Sequence, residues 1–558
     1  MTALIALSPG RDRSAAGALL VAGIMLATLT DALASTVLSL GRGYIIGDTH
    51  ATPDEFAWLD IGYTATKLIG FLAAATLMQR LDPRSLVIVS TLAMGAACGM
   101  TLVTSRLDLL IALRIMQGFS GAMLLVAGQT MIFHAYPRAQ QPVLQALFAM
   151  GSVVAPATIA PALQGWLIDS HSWTWIFFSV VPVALAAAGL LLVADSPKAA
   201  QPARRPVDWT GLSLISIAAF CFTYVLNQGS RWDWFAEPGI LWSTVIGAAA
   251  LLAFLGQQAL ARGEGLLDFS VFKCEDFCFA FVVSFVAGAA LFGSAFLIPF
   301  FAVSVLAFRP TDAGLILLPS GAFFVATLLV AAYLMQVRRV PPVATVPLGI
   351  LMIMVAMWML SGSTRESGAH DMMSAILLRG LGLGFLFLSI NLIAFSDLNR
   401  HNRAAGIGLF NTGRLLGGLI GVAGLETLIE HNIAGNLTVL GANVTAGASA
   451  VSERLTTTAT MLTARGIDGL AGRAAIGLLD RIVIEQSTVI AFDTAFNAVA
   501  LLFVFAAPVL VTLKVVLHRY MGATQHLYIA TPQIAGTAQA LTTATGPRNI
   551  PTPVVCPL

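Results

Sequence analysis

The sequence predicts an all-α polytopic membrane protein with fourteen transmembrane helices, arranged as two six-helix bundles plus two inserted helices. The first observation behind this prediction is composition, because 57% of the 558 residues are hydrophobic and only 10% are charged. A soluble domain needs far more charged surface than that, so lipid must solvate most of this protein. The second observation is a series of long apolar runs. The third is a partial repetition of one half of the chain in the other.

Fourteen apolar runs lie between charged or Pro-rich breaks, and each reaches the length of about 20 residues that a membrane span needs. The first run is too long for a signal peptide and contains Asp31, so we expect a retained helix. The seventh and eighth lie between a Pro/Arg-rich linker and the mixed-charge stretch 262–276, which marks them as inserted helices. The runs are 15–40, 57–78, 85–104, 107–132, 143–167, 174–194, 207–228, 239–260, 277–303, 311–335, 341–361, 371–396, 404–427 and 491–515.

The Lys and Arg residues of the short loops predict which side of the membrane each loop faces. With a cytoplasmic N-terminus, the six inner loops carry twelve Lys and Arg residues and the six short outer loops carry five. Both termini are therefore expected in the cytoplasm. The long segment 428–490 is then external, and it contains helix-compatible patches such as Arg473 to Glu485. The Thr-, Ala- and Pro-rich tail after the last helix is expected to be disordered.

These features divide the chain into five predicted parts. They are a cytoplasmic N-terminus at 1–14, an N-terminal six-helix bundle at 15–194, a linker with two inserted helices at 195–276, a C-terminal six-helix bundle at 277–515 that includes the external loop 428–490, and a cytoplasmic tail at 516–558.

The two bundles echo each other in sequence. LMQRLDPR at 77–84 closes the second helix, and LMQVRRVP at 334–341 closes the tenth. Arg114 with Gly118 in the fourth helix matches Arg379 with Gly382 in the twelfth. Both pairs are eight helices apart, as a six-helix unit, two inserted helices and a second six-helix unit require. Agreement in order and sidedness indicates a duplicated transporter core.

Ionisable side chains inside the predicted spans are the main functional candidates. Each costs several kcal/mol to insert into a membrane, so natural proteins keep such residues where they serve ion or substrate pathways. The six that lie well inside a span are Asp31, Asp60, Lys67, Arg114, Arg379 and Arg414.

Three of these charges reach a similar depth in the outer half of the first bundle. At 1.5 Å per residue, Asp31 lies roughly 14 Å from the outer end of its helix, Lys67 roughly 15 Å and Arg114 roughly 10 Å. We expect a coupled cluster in which Asp31 carries a proton while Lys67 and Arg114 control its protonation. A static buried ion pair that only fixes packing is the open alternative. Arg379 lies at similar depth in the second bundle, where bonding to backbone carbonyls is an equal alternative to a functional role.

Small and helix-breaking residues accompany the charges. Gly118 and Gly121, in the run LRIMQGFSGA at 113–122, remove side chains so that a neighbouring helix can approach. Gln117 beside them is expected either to orient the charged network or to bond another helix. Simple close packing is the open alternative for each glycine. Four residues of the fifth helix are expected to interrupt its hydrogen bonding and act as a hinge: Gly151, Pro156, Pro161 and Gly165.

Several motifs combine polar residues with glycine, proline or aromatic residues at fixed spacing. They are Arg114-x-x-Gln117-Gly118-x-x-Gly121, APALQGW at 160–166 followed by SWTWIFF at 172–178, Leu409-Phe410-Asn411-x-x-Arg414-x-x-Gly417-Gly418, and AFDTAF at 491–496. Together these motifs resemble those of the major facilitator superfamily, and in particular its fourteen-helix drug:proton antiporter branch (EmrB/QacA type). The resemblance covers roughly residues 15–515 and implies the major facilitator fold.

Some positions depart from the family pattern. After the second helix the family has a cytoplasmic gate motif, and this chain keeps its arginines as Arg80 and Arg84 but has Gln79 in place of an acidic residue. The resemblance marks these three residues as a cytoplasmic gate. In the antiporter motif, Ala160 and Gln164 stand where glycine is usual, so a stiffer hinge is expected.

The resemblance implies a transporter and not an enzyme, namely a proton-coupled multidrug efflux antiporter that exports hydrophobic or amphipathic compounds by alternating access. In that interpretation Asp31 and Arg114 would couple the proton, and the match in depth described above adds Lys67, which is unusual for the family. The residues expected to complete the network and its packing are Gln117, Gly118, Gly121, Asp60, Arg379, Asn411 and Arg414.

The expected surroundings follow from the same resemblance. The protein would be a multi-pass protein of a bacterial inner (plasma) membrane. Its partners would be the lipid bilayer, protons, a hydrophobic small molecule and, by analogy, a periplasmic membrane-fusion adaptor with an outer-membrane channel. No cofactor, metal or nucleic acid is expected. Two alternatives stay open: export of one endogenous metabolite, lipid or siderophore, and a membrane sensor that binds ligand without moving it.

Overall fold

The apolar runs of the sequence form helices in a computed structural model of the chain. The structure describes residues 11–194, 207–261, 265–396, 398–399, 402–445, 447–464 and 471–539, and it contains no strand among them. The predicted linker at 195–206, the first ten residues of the N-terminal segment and the tail from 540 lie outside the described residues.

Among the described residues, fourteen helices are long and apolar enough to cross a membrane, and each corresponds to one predicted run. We number them α1 to α14. Their bounds are α1 Gly17–Ser35, α2 Pro53–Met78, α3 Pro83–Val103, α4 Leu107–Ala135, α5 Arg138–Ser170, α6 Thr174–Val193, α7 Trp209–Gln228, α8 Pro238–Leu260, α9 Glu275–Ser304, α10 Pro310–Gln336, α11 Pro342–Leu360, α12 Ala369–Phe395, α13 Arg403–Asn443 and α14 Ala471–Val516.

The first predicted run, 15–40, is broken in the structure. The helix that contains α1 ends at Ser35, Thr36 leaves helical geometry with φ −103° and ψ 0°, and a second helix runs over Val37–Thr49. Breaking a helix frees carbonyl oxygens in its last turn. Those of Leu33 and Ala34 are bonded by side chains from other helices, so tertiary contacts stabilise the break.

Two other boundaries differ from the sequence prediction. α13 continues to Asn443, a further helix covers Ser449–Ala464, and the last helix begins at Ala471, so most of the segment 428–490, predicted as an external loop, is helical. The reason is local, because this segment contains no proline. The last helix also continues to Gln539, where the backbone is helical and not the disordered tail expected from 516. Between 516 and 539 the sequence contains a single proline, Pro532.

The helices pack as two bundles that meet along three seams. α2 and α4 form the tightest pair of the first bundle, and α9 with α13 the tightest of the second. Between the bundles, α5 packs on α10, α2 on α13, and the end of α4 on α12 and α13. The inserted pair α7 and α8 pack on each other, and α7 lies against both α2 and α13.

α5, the predicted hinge helix, departs from regular α-helix. Residues Met150–Ile159 form a π-helical stretch that contains Pro156. Proline removes a backbone donor, which favours such a wider turn. A Cβ at Gly151 would lie 2.7 Å from the Met25 carbonyl oxygen, so α5 contacts the backbone of α1 at this glycine. Gly165 likewise lies against the Pro310 backbone of α10, and Gly314 lies against the backbone of Pro161. Three of the four predicted hinge residues therefore also form close helix contacts.

Candidate functional site

Asp31 of α1 is the centre of a buried polar cluster. It is 3% exposed and Lys67 of α2 is 8% exposed. The Lys67 ammonium donates to both carboxylate oxygens, at 2.9 Å to Oδ1 and 2.8 Å to Oδ2. The Tyr63 hydroxyl donates to Oδ1 at 2.7 Å and accepts from Lys67 Nζ at 2.9 Å. Tyr63 and Lys67 are four residues apart on α2 and therefore share one helix face.

Arg114 joins this cluster through Tyr63 and not through Asp31. Its guanidinium lies over the Tyr63 ring, 4.2 Å from the centroid, in a cation–π arrangement. Its hydrogen bonds go instead to the Ala34 carbonyl at 2.8 Å, the Gln117 Oε1 at 3.0 Å and the Leu59 carbonyl at 3.3 Å. The expected direct contact of Arg114 with Asp31 is thus replaced by an aromatic bridge.

Gly118 and Gly121 leave the space that the cluster occupies. A Cβ at Gly121 would overlap the Asp31 carboxylate, and one at Gly118 would overlap the Tyr63 carbonyl oxygen. The absence of both side chains lets α1 and α2 reach the surface of α4. The two glycines therefore allow close packing of the helices and, by the same missing side chains, leave room for the polar cluster.

The broken end of α1 is bonded by two other helices. Arg114 of α4 donates to the Ala34 carbonyl. Gln164 of α5 is fully buried, and its Nε2 donates to the Leu33 carbonyl and to the Thr36 hydroxyl, both at 2.9 Å. A glycine at 164 would have no side chain to make these bonds. The departure of this chain from the antiporter motif therefore stabilises the break in α1.

The remaining predicted residues lie at separate positions. Asp60 accepts a hydrogen bond from Asn227 of α7 at 3.1 Å, so it binds the inserted helix. Arg379 is fully buried, and its Nε donates to the Ser294 hydroxyl at 2.8 Å. That partner is a side chain and not one of the backbone carbonyls expected as the alternative.

Asn411 and Arg414 of α13 form a second polar pair. Arg414 Nη2 donates to Asn411 Oδ1 at 2.5 Å, and the guanidinium lies 4.8 Å from the centre of the Phe387 ring. Arg414 also interacts electrostatically with Asp31 and Lys67 across the boundary between the bundles. Arg414 is therefore a charge of the second bundle that acts electrostatically on the Asp31–Lys67 pair.

The predicted gate residues lie at the end of α2 opposite Pro53. Gln79 ends α2 as its C-cap and Arg80 follows it. Arg84 donates to the Leu191 and Leu192 carbonyls at 2.9 Å each, which ties the start of α3 to the end of α6 within the first bundle. Asp82 caps α3 by accepting from the backbone N–H of Ser85. Arg84 thus stabilises the first bundle. The gate role of Gln79, Arg80 and Arg84 stays a prediction.

Two residues of the site were not predicted from the sequence. Tyr63 is absent from the sequence candidates, although its place four residues before Lys67 is a signal that could have found it. Gln164 was noted only as a replacement for glycine. A polar residue inside a span needs a hydrogen-bond partner, and that rule also applies to neutral side chains.

The fold and the site together define a class, that of a multi-pass helical membrane protein with two bundles and a buried ion pair. The chain belongs to the major facilitator superfamily, whose profile matches residues 20–422. This confirms the predicted family and fold. Members of this family are transporters, so the chain is a membrane transporter by family.

The relatives include named exporters. Multidrug export protein EmrB of Haemophilus influenzae is 26% identical over 417 residues, covering 74% of this chain and 80% of that protein. Multidrug export protein EmrB of Escherichia coli strain K12 is 27% identical over 410 residues, covering 73% and 78%. Fatty acid resistance protein FarB of Neisseria gonorrhoeae is 24% identical over 500 residues, covering 89% and 96%. These names agree with the predicted EmrB/QacA type.

Proposed function

We propose that this protein is a proton-coupled antiporter that exports hydrophobic or amphipathic compounds by alternating access. The observation that carries the proposal is the buried Asp31–Lys67 ion pair, to which Tyr63 adds a third contact. Removing two charges from water is costly, and charges inside membrane spans mark ion and proton pathways. The two relatives named multidrug export protein support the same substrate class.

The proposed proton step is an exchange of partners at Asp31. With Lys67 Nζ at 2.8 Å, the carboxylate is stabilised as an anion. When helix movement separates the pair, the buried carboxylate favours its neutral form and takes up a proton from the side to which it is open. Return of Lys67 then releases that proton to the opposite side. This exchange at Asp31 would carry a proton across the membrane, and no covalent bond other than O–H changes.

Coupling to the second bundle is proposed to run through α13. Gly408 of α13 packs against the Phe71 carbonyl of α2, and Arg414, six residues further on, interacts electrostatically with Asp31. Moving α13 away from α2 would change the electric field at the carboxylate. Proton occupancy would then bias the relative position of the bundles, as alternating access requires.

The substrate would bind between the bundles after one end opens. Within the second bundle, the cavity among Phe387, Asn391, Phe410 and Arg414 has a volume of only about 10 Å³, which suits a water-sized molecule and not a larger ligand. The bundles contact each other near both ends, through α5 with α10 and through α4 with α13. Separation at one end would expose the apolar and aromatic surfaces that suit a hydrophobic ligand.

The proposed location is a bacterial inner membrane with both termini in the cytoplasm. α13 has 41 residues and, at 1.5 Å per residue, is about 60 Å long, about twice the thickness of the hydrocarbon core. It therefore projects from the membrane together with the helix at Ser449–Ala464 and the start of the last helix. This projection carries exposed apolar side chains such as Val439, Met461 and Ile476, and we propose that it contacts a periplasmic adaptor.

Ethidium transport into everted membrane vesicles tests the proposal. Energised vesicles with the wild-type protein should accumulate ethidium, and an uncoupler should abolish the accumulation. Asp31→Asn, at equal expression, should transport at the uncoupled level because it cannot exchange a proton. Asp108→Asn is the matched control, since Asp108 is exposed and pairs with Arg106 and not with a residue of the cluster. Transport that ignores the gradient would refute antiport, normal coupled transport by Asp31→Asn would remove its role, and binding without movement would favour a sensor.

A further inference from the structure

A second cavity lies outside the Asp31 cluster, among α2, α7 and α8 at the predicted external end. Its volume is about 460 Å³, within the range of small-molecule sites. Aromatic and polar side chains line it: Asp54, Trp58, Phe220, Tyr224, Gln228, Trp232 and Glu237. None of the proton-coupling residues contributes to this lining.

The aromatic lining is arranged to accept a cation. Trp58 of α2 and Tyr224 of α7 stack with ring centroids 5.6 Å apart, and Trp58 and Trp232 remain 42% and 41% exposed. Ring faces carry negative electrostatic potential, so exposed indole and phenol rings attract organic cations. The protein's own Arg231 already lies near the Trp232 ring, 5.9 Å from its centroid.

One carboxylate of the cavity is uncompensated. Asp54 is neutralised by Arg231, with 3.1 Å between Arg231 Nε and Asp54 Oδ1. Glu237 also lines the cavity, and the described part of the chain offers it no ion-pair partner. A Cβ placed on Gly239 would lie 3.9 Å from both Glu237 Oε1 and the Tyr224 hydroxyl, so carboxylate and phenol flank the same backbone position.

The turn that closes the cavity is attached to both bundles. Ser230 donates to Glu430 of α13 at 2.5 Å and Trp234 donates to Thr427 of α13 at 3.1 Å, while Arg231 binds α2. Asp233 and Trp234 also have positive φ of 52° and 55°, which costs backbone energy for residues with side chains. Because its turn is held by α2 and α13, the cavity would change shape when the bundles move.

We propose that this cavity is a binding site for amphipathic organic cations, in which the Trp58, Tyr224 and Trp232 rings hold the apolar part and Glu237 holds the charge. Its role as a station on the exit path rests on the proposed export function, whereas binding itself does not. The Glu237 carboxylate repels an anion, and its charge adds no attraction to the binding of a neutral compound.

Equilibrium dialysis of tetraphenylphosphonium against the purified full-length protein in detergent tests the proposal. Glu237→Gln should weaken binding about fivefold while leaving the binding of neutral triphenylphosphine oxide unchanged, because only the charge interaction is lost. Trp58→Leu should weaken both ligands. Glu366→Gln is the matched control, since Glu366 is an exposed glutamate on another loop of the same predicted side.

The outcomes separate this inference from the proposed transport mechanism. Binding should persist in Asp31→Asn and keep its dependence on Glu237, whether or not that variant transports. Equal tetraphenylphosphonium affinity in the wild type and Glu237→Gln, or an equal loss in Glu366→Gln, would overturn the cation site even if coupled transport is intact. Failure of coupled transport with a Glu237-dependent affinity would refute the transport mechanism and leave the site standing.

Discussion

At the scale of single residues, Tyr63 connects the two parts of the proposed proton site. Its hydroxyl bonds Asp31 and Lys67, and its ring lies under Arg114. The structure thus places an aromatic residue with one polar atom between the carboxylate and the second cation. Arg114 also donates a hydrogen bond to the end of α1. One side chain therefore positions both that helix end and the Tyr63 ring.

Tyr63→Phe should change the pH profile of transport while keeping the fold. The variant removes one donor to the carboxylate and retains the ring beneath Arg114. Hydrogen bonds to charged groups contribute about 1.5–3 kcal/mol, and without this one the carboxylate anion is less stable. We expect the half-maximal point of the pH–rate profile in everted vesicles to move to higher pH, by about one unit or more.

Tyr333→Phe is the control for that variant, since Tyr333 is an exposed tyrosine of α10. It should leave the profile unchanged. If Tyr63→Phe also leaves the profile in place, with normal expression and melting temperature, the hydroxyl has no part in proton exchange.

The sequence predicted part of this cluster for a clear physical reason. Depth along a helix follows from residue count, so Asp31 and Lys67 could be matched in height from their positions alone. Depth does not determine the direction in which a side chain points around the helix axis, because that direction rotates by about 100° from one residue to the next. Arg114 reaches a similar level to Asp31 but bonds backbone carbonyls and lies over an aromatic ring, and only the packing of α1, α2 and α4 decides that arrangement.

At the scale of helices, Asp208 fastens the inserted pair to each other. Its Oδ1 accepts from the Gly211 N–H at 2.8 Å and from Gln257 at 2.7 Å, and its Oδ2 accepts from Gln258 at 3.0 Å. Asp208 therefore caps α7 and binds the end of α8 with the same carboxylate. Burial alone would raise the pKa of Asp208, but these hydrogen bonds outweigh it and hold the pKa below its usual value.

Asp208→Ala should lower the melting temperature of the purified protein, by loss of a cap contribution of about 1 kcal/mol. A carboxyl with a lowered pKa stabilises the fold above its ordinary pKa of about 3.9, and this stabilisation is lost as the pH falls through the lowered value. The difference between wild type and variant should therefore be full at pH 7 and shrink in acid.

Glu453→Ala, on the exposed helix Ser449–Ala464, should have no comparable effect on the melting temperature. A difference between wild type and Asp208→Ala that stays constant down to acid pH would show that the charge of Asp208 contributes nothing to its role.

Hydropathy predicted the number and order of the spans but not the ends of the last helices. An apolar run reports only the part of a helix that lipid surrounds, whereas the helix itself continues as long as its backbone bonds are made. α13 and the last helix therefore extend into segments whose polar composition indicated a loop and a tail. The break after Ser35 is the opposite case, since an apolar run continues there while side-chain contacts at Leu33 and Ala34 stabilise a helix end.

At the scale of the whole molecule, the two bundles contact each other near both ends. At the predicted external end, Asp169 of α5 accepts from the Thr311 backbone N–H at 3.0 Å and from its hydroxyl at 2.5 Å. At the opposite end, Arg403 of α13 donates to the Phe133 carbonyl at 3.4 Å and lies over its ring. Each contact would have to open in turn during alternating access.

Asp169→Ala should favour opening at the predicted external end. The variant loses two hydrogen bonds that join α5 to α10, each contributing about 1 kcal/mol, so the closed population should fall severalfold. A reporter cysteine at Thr158, which is buried against Gly321 of α10, should then react severalfold faster with an impermeant maleimide in a background that lacks the other cysteines.

Asp108→Ala, an exposed aspartate at the same predicted end, should leave the labelling rate unchanged. Equal labelling rates in Asp169→Ala and the unaltered protein would mean that this contact does not hold the bundles together.

The clamped break in α1 has a mechanical consequence. A helix interrupted at Thr36 could bend at that residue. Here the C-terminal end of α1 is fixed by hydrogen bonds from Arg114 of α4 and Gln164 of α5. Three helices are thereby fastened at one point, beside the carboxylate on which the proposed proton exchange takes place. We expect the first bundle to move as a rigid body during transport. The structural change should then occur at the contacts between the two bundles and not within the helix that carries Asp31.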